Sequence, residues 1–347
     1  MTSLTLRKSP ALWGIAAAVA IACLPGNAVA QDVIDLKLAH YLPTVNGLHS
    51  EFMEPWAREL EACSKGKVKV TIYPGGTQLG NPTKLYDSVR AGVVDIAHGL
   101  TGVPAGRFER TRIADLPFLF TSSDSLTRTL WDLYPKYLAQ EYPGVKMLAL
   151  HGPNPAQIHT ATKTVKTPDD LKGLRLRSTT PAVTMMFAQL GATPVGLPAG
   201  QVYENIQKGV LDGTGFTWDT MVAFNLAEVV KHHLDAKLYM VSMWFAMNEK
   251  TYNSLPEDVR KCVDKLSGDN LIPKFGPWWD SWDKAGYDRV VAEGHEIVTL
   301  DEKQRAEWAK RLEPMVNEYL SDLEKKNITN AREIYAKMKE KAAQYNN

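Results

Sequence analysis

The chain has 347 residues, 44% of them apolar and 23% charged, with a formal net charge of +1. This length predicts two domains, or three small ones, with a core large enough to need no disulfide or metal ion. The near-zero charge excludes a protein held to nucleic acid or membranes by bulk electrostatics alone. Three cysteines, one of them near the start of the chain, exclude a disulfide scaffold and a Cys₄ zinc site.

The segment 1–30 is predicted to be a secretory signal peptide. Arg7 and Lys8 form a basic segment, the run 11–24 is apolar, and 28–30 reads Ala-Val-Ala, which is typical of a cleavage site. The apolar run is shorter than the roughly 18–20 residues that a membrane span needs. We therefore expect cleavage after Ala30 and a mature protein in the periplasm.

Two cysteines remain in the mature chain, Cys63 and Cys262. The space outside the cytoplasmic membrane is oxidising, so a disulfide between them is chemically possible. Cys63 lies on the apolar face of a predicted helix, and nothing in the sequence places the two residues together. We therefore expect two buried, unpaired thiols.

Segments with strand and helix periodicity alternate along the mature chain. Apolar residues at every second position, or short apolar runs, predict strands over 34–38, 68–72, 93–97, 145–150 and 174–177. Apolar spacings of three to four residues, with capping residues, predict helices over 52–63, 82–91, 125–140, 181–190 and 200–208, a helix start at Thr167, and helices from residue 257 onward. This alternation predicts an α/β fold with parallel strands and right-handed crossovers.

One ten-residue pattern occurs twice, at 86–95 and at 203–212, with an offset of 117 residues. In each copy a helix ends at a glycine, and a short strand containing an aspartate follows. The similarity is either a chance likeness of two helix–glycine–strand units or the mark of two similar α/β lobes that face each other across a cleft. In the second case the residues just after the repeats line the cleft: His98, Gly99 and Thr101 in one lobe, and Gly215, Phe216 and Trp218 in the other.

The sequence contains none of the common catalytic, nucleotide-binding or metal-binding motifs. The adjacent His232 and His233 would point about 100° apart on a helix, so that one metal ion rarely takes both. We therefore expect no catalytic residue, no metal site and no cofactor.

Arg177 ends a predicted strand, at the edge of the sheet where a cleft would lie. A guanidinium there offers a rigid fork that fits a carboxylate. From its position alone, a ligand-binding arginine and a surface arginine paired with an aspartate are equally good interpretations.

Five segments in order now carry a resemblance to a known family. They are LKLAH at 36–40, YPGGTQLG at 73–80, DLPFLF at 115–120, TPDDLKGLRLR at 167–177 and GVLDG at 209–213. With these segments the mature chain resembles the DctP-type solute receptors of the tripartite ATP-independent periplasmic (TRAP) transporters.

The resemblance implies a two-lobed, type II-like periplasmic-binding-protein fold with a long bridging helix and a helical C-terminus. The lobes would be 31–152 with about 242–280, and 153–241, with bridging and C-terminal helices over about 281–347. It also implies a receptor, not an enzyme, that closes over an organic acid and delivers it to the membrane subunits of a transporter, and we expect a monomer. The alternative is a secreted α/β enzyme acting on a small carboxylate.

In this family the arginine that ends the Asp-Leu-Lys-Gly segment binds the ligand carboxylate, and here that residue is Arg177. Two positions depart from the family: Gln157 stands where many members have a second arginine, and Phe216 where many have asparagine. The loop after the first strand contributes His40 and Tyr41. The candidate ligand-binding residues are therefore Arg177, Gln157, Phe216, Trp218, Tyr41, His40 and His98.

These residues favour a monocarboxylate with an apolar or aromatic body, with or without a 2-oxo or 2-hydroxy group. Phe216, Trp218 and Tyr41 would offer flat apolar faces to a ring, although both Phe216 and Trp218 have the alternative of packing in the core. Gln157 carries no charge for a second carboxylate. A sugar acid is the second choice and a C4-dicarboxylate the third.

Overall fold

Strands and helices alternate through the part of the chain that the computed structural model describes, residues 1–3 and 33–345. The predicted apolar run and cleavage site of the signal peptide lie outside these residues. The strands are β1 (Ile34–Ala39), β2 (Val68–Tyr73), β3 (Ile96–Leu100), β4 (Val145–His151), β5 (Ala156–Thr160), β6 (Arg175–Ser178), β7 (Thr193–Gly196), β8 (Gly213–Phe216), β9 (His232–Tyr239), β10 (Met243–Asn248) and β11 (Glu296–Thr299).

The α-helices fall between and after these strands. They are α1 (Glu54–Cys63), α2 (Leu85–Ala91), α3 (Ser123–Leu133), α4 (Pro181–Gln189), α5 (Val202–Gln207), α6 (Thr220–Ala223), α7 (Glu249–Ser254), α8 (Glu257–Lys265), α9 (Phe275–Ala292), α10 (Glu302–Lys325) and α11 (Ala331–Tyr345). In the part of the chain so described, no helix is long and apolar enough to cross a membrane.

The strands form two mixed sheets. The first has the order β2-β1-β3-β10-β4, and the second has the order β11-β9-β5-β8-β6-β7. In the first sheet β1 pairs in parallel with β2 and β3, whereas β10 runs antiparallel between β3 and β4. In the second sheet β6 pairs in parallel with β7 and β8. The predicted α/β fold of two lobes is therefore confirmed.

The repeated ten-residue pattern builds the same unit in both sheets. Asp95 accepts a hydrogen bond from the backbone N–H of Lys37 in β1 (2.8 Å), and its own N–H donates to the carbonyl of that residue (3.0 Å). Asp212 makes the same pair of bonds with Arg175 in β6, at 2.7 and 2.9 Å. The repeat therefore reflects two equivalent units, each fixing a strand beside its parallel neighbour.

The strand predicted over 93–97 begins three residues late. Val93 closes the end of α2, because its N–H donates to the carbonyl of Ser88, and Gly92 has the left-handed φ of 75° that ends the helix. The strand β3 begins at the next residue after Asp95, whose backbone and side chain are bonded to β1. The helix start at Thr167 is confirmed but yields a single 3₁₀ turn, Pro168–Leu171.

The 18-residue helix α9 spans the two sheets, as the bridging helix of the predicted fold should. Its first half places Trp279 and Trp282 in the apolar cluster that packs on the first sheet. Its second half places Val290 in the cluster around Trp218, on the second sheet.

The expectation of two unpaired thiols is wrong. Cys63, at the end of α1, and Cys262, in α8, form a disulfide with their Cα atoms 5.8 Å apart. The two helices pack side by side on the first sheet, a contact between segments 199 residues apart that periodicity alone does not reveal.

The boundaries of the lobes stay a prediction, which the sheet membership of the strands supports. The strand β10 returns the chain to the first sheet, whereas β5 to β9 all lie in the second. The segment 281–347, predicted to be helical, also contains the strand β11, which pairs in parallel with β9.

Candidate functional site

The side chain of Arg177 is buried at the end of β6, with 3% of its surface exposed. Its Nε donates a hydrogen bond to the carbonyl of Leu197 (3.0 Å), and its buried Nη1 has no partner. Among the described residues, no carboxylate pairs with it, and burial lowers the pKa of its guanidinium to about 10. A buried cation without a counter-ion is costly, so this group is a strong binding point for an anion.

The ring of Phe216 supports this guanidinium. The Cζ atom of Arg177 lies 4.3 Å from the ring centroid, in cation–π geometry. Phe216 ends β8, the parallel neighbour of β6, and its ring stacks on Phe224 with centroids 6.0 Å apart. Because the ring covers the flat face of the guanidinium, the N–H edge stays available for a planar carboxylate.

Arg177 and Phe216 line the same cavity, which has about 60 Å³ of space open to a water-sized molecule. Its wall is largely apolar, with Leu42, Leu100, Phe224, Met243 and Trp279 among the lining residues. Of the residues that the structure describes, Arg177 is the only cationic side chain in the lining.

Two tyrosines flank the arginine in this cavity. The phenol of Tyr239 donates a hydrogen bond to the carbonyl of Gly215 (3.0 Å), and burial raises its pKa to about 12. Burial and the charge of Asp219 raise the pKa of Tyr41, while Arg177 acts in the opposite direction. Both phenols are therefore neutral at physiological pH and keep their protons as hydrogen-bond donors.

The same cavity has a second polar region around Asp219. Its carboxylate accepts hydrogen bonds from Asn46 Nδ2 (3.1 Å) and from the hydroxyl of Thr217. Its backbone N–H donates to Asp283 Oδ1 (2.9 Å). Burial raises the pKa of both carboxyl groups, and the charge of Asp219 also raises that of Asp283.

A second cavity reaches Arg177 from another direction. It has about 330 Å³ of space open to a water-sized molecule and shares Tyr41, Leu100, Arg177, Thr179 and Ala199 with the first. Its other walls are the loops 76–83 and 196–200, rich in glycine and proline. The arginine therefore lies where the two cavities meet.

Of the candidate residues, Arg177, Phe216 and Tyr41 come together in the first cavity, whereas His40 and His98 do not line it. His40 Nε2 is bonded to His49 Nδ1 (2.8 Å), and its Nδ1 accepts the N–H of Leu42. His98 Nε2 is bonded to His151 Nε2 (2.9 Å). Both rings are fully buried, and burial lowers their pKa values, so they are neutral polar groups of the core.

Gln157 and Trp218 also lie outside the lining of the first cavity. The Gln157 amide is used at both ends: Nε2 donates to the carbonyl of Pro155 (3.0 Å), and Oε1 accepts the N–H of Lys237 (2.9 Å). Trp218 packs in the core of the second sheet against His159, with ring centroids 5.0 Å apart. Trp218 therefore packs in this core, whereas Phe216 packs against the same core and also lines the cavity.

The cavity contains residues that the sequence did not indicate, above all Asn46, Asp219 and Tyr239. Thr179 had a usable signal, since it directly follows the end of β6, two positions after Arg177. Asn46 and Asp219 lie 173 residues apart in loops without periodicity, so no local pattern marks them. Among the described residues, no group of side chains is suited to hold a metal ion.

Comparisons with known proteins place this geometry in a family. A TRAP solute-binding protein from Rhodoferax ferrireducens, solved with copurified benzoate, superposes with a TM-score of 0.86 at 28% identity, over 90% of this chain and 98% of that one. A marine metagenome TRAP protein specific for aromatic acids, solved with 3-hydroxybenzoate, gives a TM-score of 0.87 at 30% identity, over 91% of this chain and all of that one.

A curated relative has another ligand in its name. It is the C4-dicarboxylate-binding periplasmic protein DctP of Rhodobacter capsulatus, 26% identical over 321 residues, which cover 91% of this chain and 94% of that protein. The family profile described as "Bacterial extracellular solute-binding protein, family 7" matches residues 38–322. This chain is therefore a member of that family, the DctP family of TRAP solute-binding proteins.

Proposed function

We propose that this protein is a periplasmic receptor for an aromatic monocarboxylate, and that Arg177 binds the carboxylate of the ligand. The observation that carries the proposal is the buried guanidinium of Arg177, which has an unpartnered Nη1 and no carboxylate partner among the described residues. A ligand carboxylate would neutralise this charge and satisfy its free donor in one step.

The lining of the cavity favours one carboxylate on a flat apolar body. Arg177 is the only cation that the described residues bring to the cavity, so a second carboxylate would lack a counter-ion there. The ring of Phe216 and the apolar wall suit an aromatic ring. The two structural neighbours with benzoate and 3-hydroxybenzoate bind ligands of this class.

The bound acid would then pass to the membrane subunits of a TRAP transporter. We propose that the protein acts as a monomer, and that the second cavity is the route by which the ligand reaches Arg177. A 2-oxo or 2-hydroxy group next to the carboxylate would find a donor in the phenol of Tyr41.

Calorimetry of benzoate binding to the wild-type protein and to Arg177→Ala tests the proposal. Removing one partner of a buried charge-assisted pair costs about 3–5 kcal/mol, so the variant should bind at least about a hundredfold more weakly. A control, Arg175→Ala, removes an exposed arginine of the same strand that is paired with Asp212, and it should keep wild-type affinity.

A loss of less than threefold in a folded Arg177→Ala variant would contradict the assignment. Tighter binding of succinate or glucuronate than of benzoate would favour a dicarboxylate or a sugar acid instead. Chemical turnover of a tightly bound acid would point to the secreted enzyme.

A further inference from the structure

We propose that Asp219 is the second recognition point of the cavity and that it binds a hydrogen-bond donor carried by the ligand ring. The ligand class is then an aromatic acid with a hydroxyl or amino group on its ring. This inference rests on the proposed function, because it takes the carboxylate of the same ligand to be bound at Arg177.

Asp219 is a buried carboxylate that lines the cavity, with 6% of its surface exposed. Within the described chain no lysine, arginine or histidine pairs with it. It accepts hydrogen bonds from Asn46, from the hydroxyl of Thr217 and from the N–H of Thr220. A carboxylate has about four acceptor positions, so at least one remains for a ligand.

The position of Asp219 is fixed from behind by the bridging helix α9. Asp283 on this helix accepts the N–H of Asp219 at 2.9 Å. One turn later Gly286 lies so close to the loop that a Cβ atom there would come within 1.8 Å of the Trp218 carbonyl oxygen. Because Asp219 is held in place, it needs little rearrangement to accept a hydrogen bond from a ligand. This favours selective binding of ligands that carry a donor.

The cavity therefore has two charged groups in a wall that is largely apolar. Arg177 offers a cation and Asp219 an anion, and the phenol of Tyr41 lies within the electrostatic reach of both. A flat ring with a carboxylate at one position and a neutral donor at another satisfies both groups. A second carboxylate on the ring would face the charge of Asp219 and be rejected.

This arrangement makes Asp219 a residue that determines specificity. An unsubstituted ring offers no donor to Asp219, so an acceptor position of this buried carboxylate stays without a hydrogen bond. Leaving that bond unmade costs binding free energy, so the site binds an unsubstituted acid more weakly. A hydrogen bond to a charged group favours the substituted ring by about tenfold or more.

The test is a calorimetric panel at pH 7.5 with benzoate, 3- and 4-hydroxybenzoate, 3- and 4-aminobenzoate, and isophthalate. The wild-type protein should bind at least one hydroxy or amino acid about tenfold more tightly than benzoate, and isophthalate more weakly than benzoate. In Asp219→Asn the advantage of the substituted acid should fall below about threefold, and isophthalate should gain affinity.

Asp288→Asn is the matched control. It makes the same change at an exposed carboxylate of the bridging helix α9, which is paired with Lys284 and does not line the cavity. Its ratios of affinity between ligands should stay within about twofold of the wild type. Thermal melts of both variants establish that they are folded.

Each outcome is decisive. Three results would overturn the role of Asp219 and leave the role of Arg177 unaffected. They are equal affinities of the wild type for benzoate and all the substituted acids, unchanged affinity ratios in Asp219→Asn, and the same change in affinity ratios in both variants. Failure of every aromatic acid to bind would instead overturn the proposed function, and the role of Asp219 with it. Should Asp219→Asn not fold, Asp219→Glu takes its place, because moving the carboxylate should alter the same ratios.

Discussion

A single aromatic residue, Phe216, contacts the charged group of the site and also forms part of its apolar wall. Its ring covers the guanidinium of Arg177 on one side and stacks on Phe224. The ring stabilises the buried cation without using any of its N–H donors, which a carboxylate side chain in the same place would have consumed.

Replacing this ring should weaken ligand binding without removing the site. Phe216→Leu keeps most of the apolar volume but loses the cation–π contact, worth about 0.5–2 kcal/mol, so benzoate affinity should fall by about threefold to thirtyfold. The matched control is Trp218→Phe, a change in the neighbouring core that should leave affinity within about twofold if the protein folds. Unchanged affinity in Phe216→Leu would show that the ring does not support the arginine.

At the scale of the secondary-structure elements, sequence patterns predict several strands, among them β6 with Arg177, and miss others, among them β5, β9 and β10. Strands β1, β2, β4 and β6 carry alternating or continuous apolar residues and were predicted near their true positions. Strands β5 and β8 read AQIHT and GTGF, without alternating apolar residues, so periodicity does not mark them. Arg177 could be predicted because a strand and a family motif both end there.

The loop at 217–219 could not be foreseen, since it is positioned by a helix some sixty residues further along the chain. Gly286 in α9 lets the backbone of this loop lie against the helix, where a Cβ atom would come within 1.8 Å of the Trp218 carbonyl oxygen. A side chain at this position must displace either the helix or the loop.

Gly286→Ala should therefore lower both ligand affinity and thermal stability. Overpacking of this kind typically costs about 1–3 kcal/mol, and the displaced Asp219 should weaken the binding of the tightest acid by at least about tenfold. The exposed Lys284→Ala on the same helix is the control and should behave like the wild type. Wild-type affinity in Gly286→Ala would mean that the loop does not depend on α9.

At the scale of the whole molecule, buried imidazoles make the fold sensitive to acid. Burial lowers the pKa to about 3 for His40 and His151, to about 4 for His159 and to about 2 for His233, and it also lowers the pKa of His98. These groups are neutral in the folded protein, whereas an unfolded histidine takes up a proton below about pH 6.5. Above that pH they contribute nothing to the pH dependence, and below it they favour unfolding.

Thermal stability should fall between pH 7 and pH 5. Each of these histidines then stabilises the unfolded chain by about 2 kcal/mol at pH 5. Buried carboxyl groups with raised pKa values, including Asp115, Asp219 and Asp283, release protons on unfolding and offset part of this loss. Melting curves at pH 7 and pH 5, recorded without ligand, show whether the histidines or the carboxyl groups have the larger effect on stability. An equal or higher Tm at pH 5 would show that the carboxyl groups dominate.

The central claim is that Arg177 binds the carboxylate of an aromatic acid between the two sheets. A crystal structure of the protein grown with benzoate tests it most directly. We predict a carboxylate oxygen within about 3 Å of Arg177 Nη1, the buried donor without a partner, and the ring of the ligand in the cavity that Phe216 lines. Benzoate bound with its carboxylate away from Arg177, or found only outside this cavity, would contradict the account.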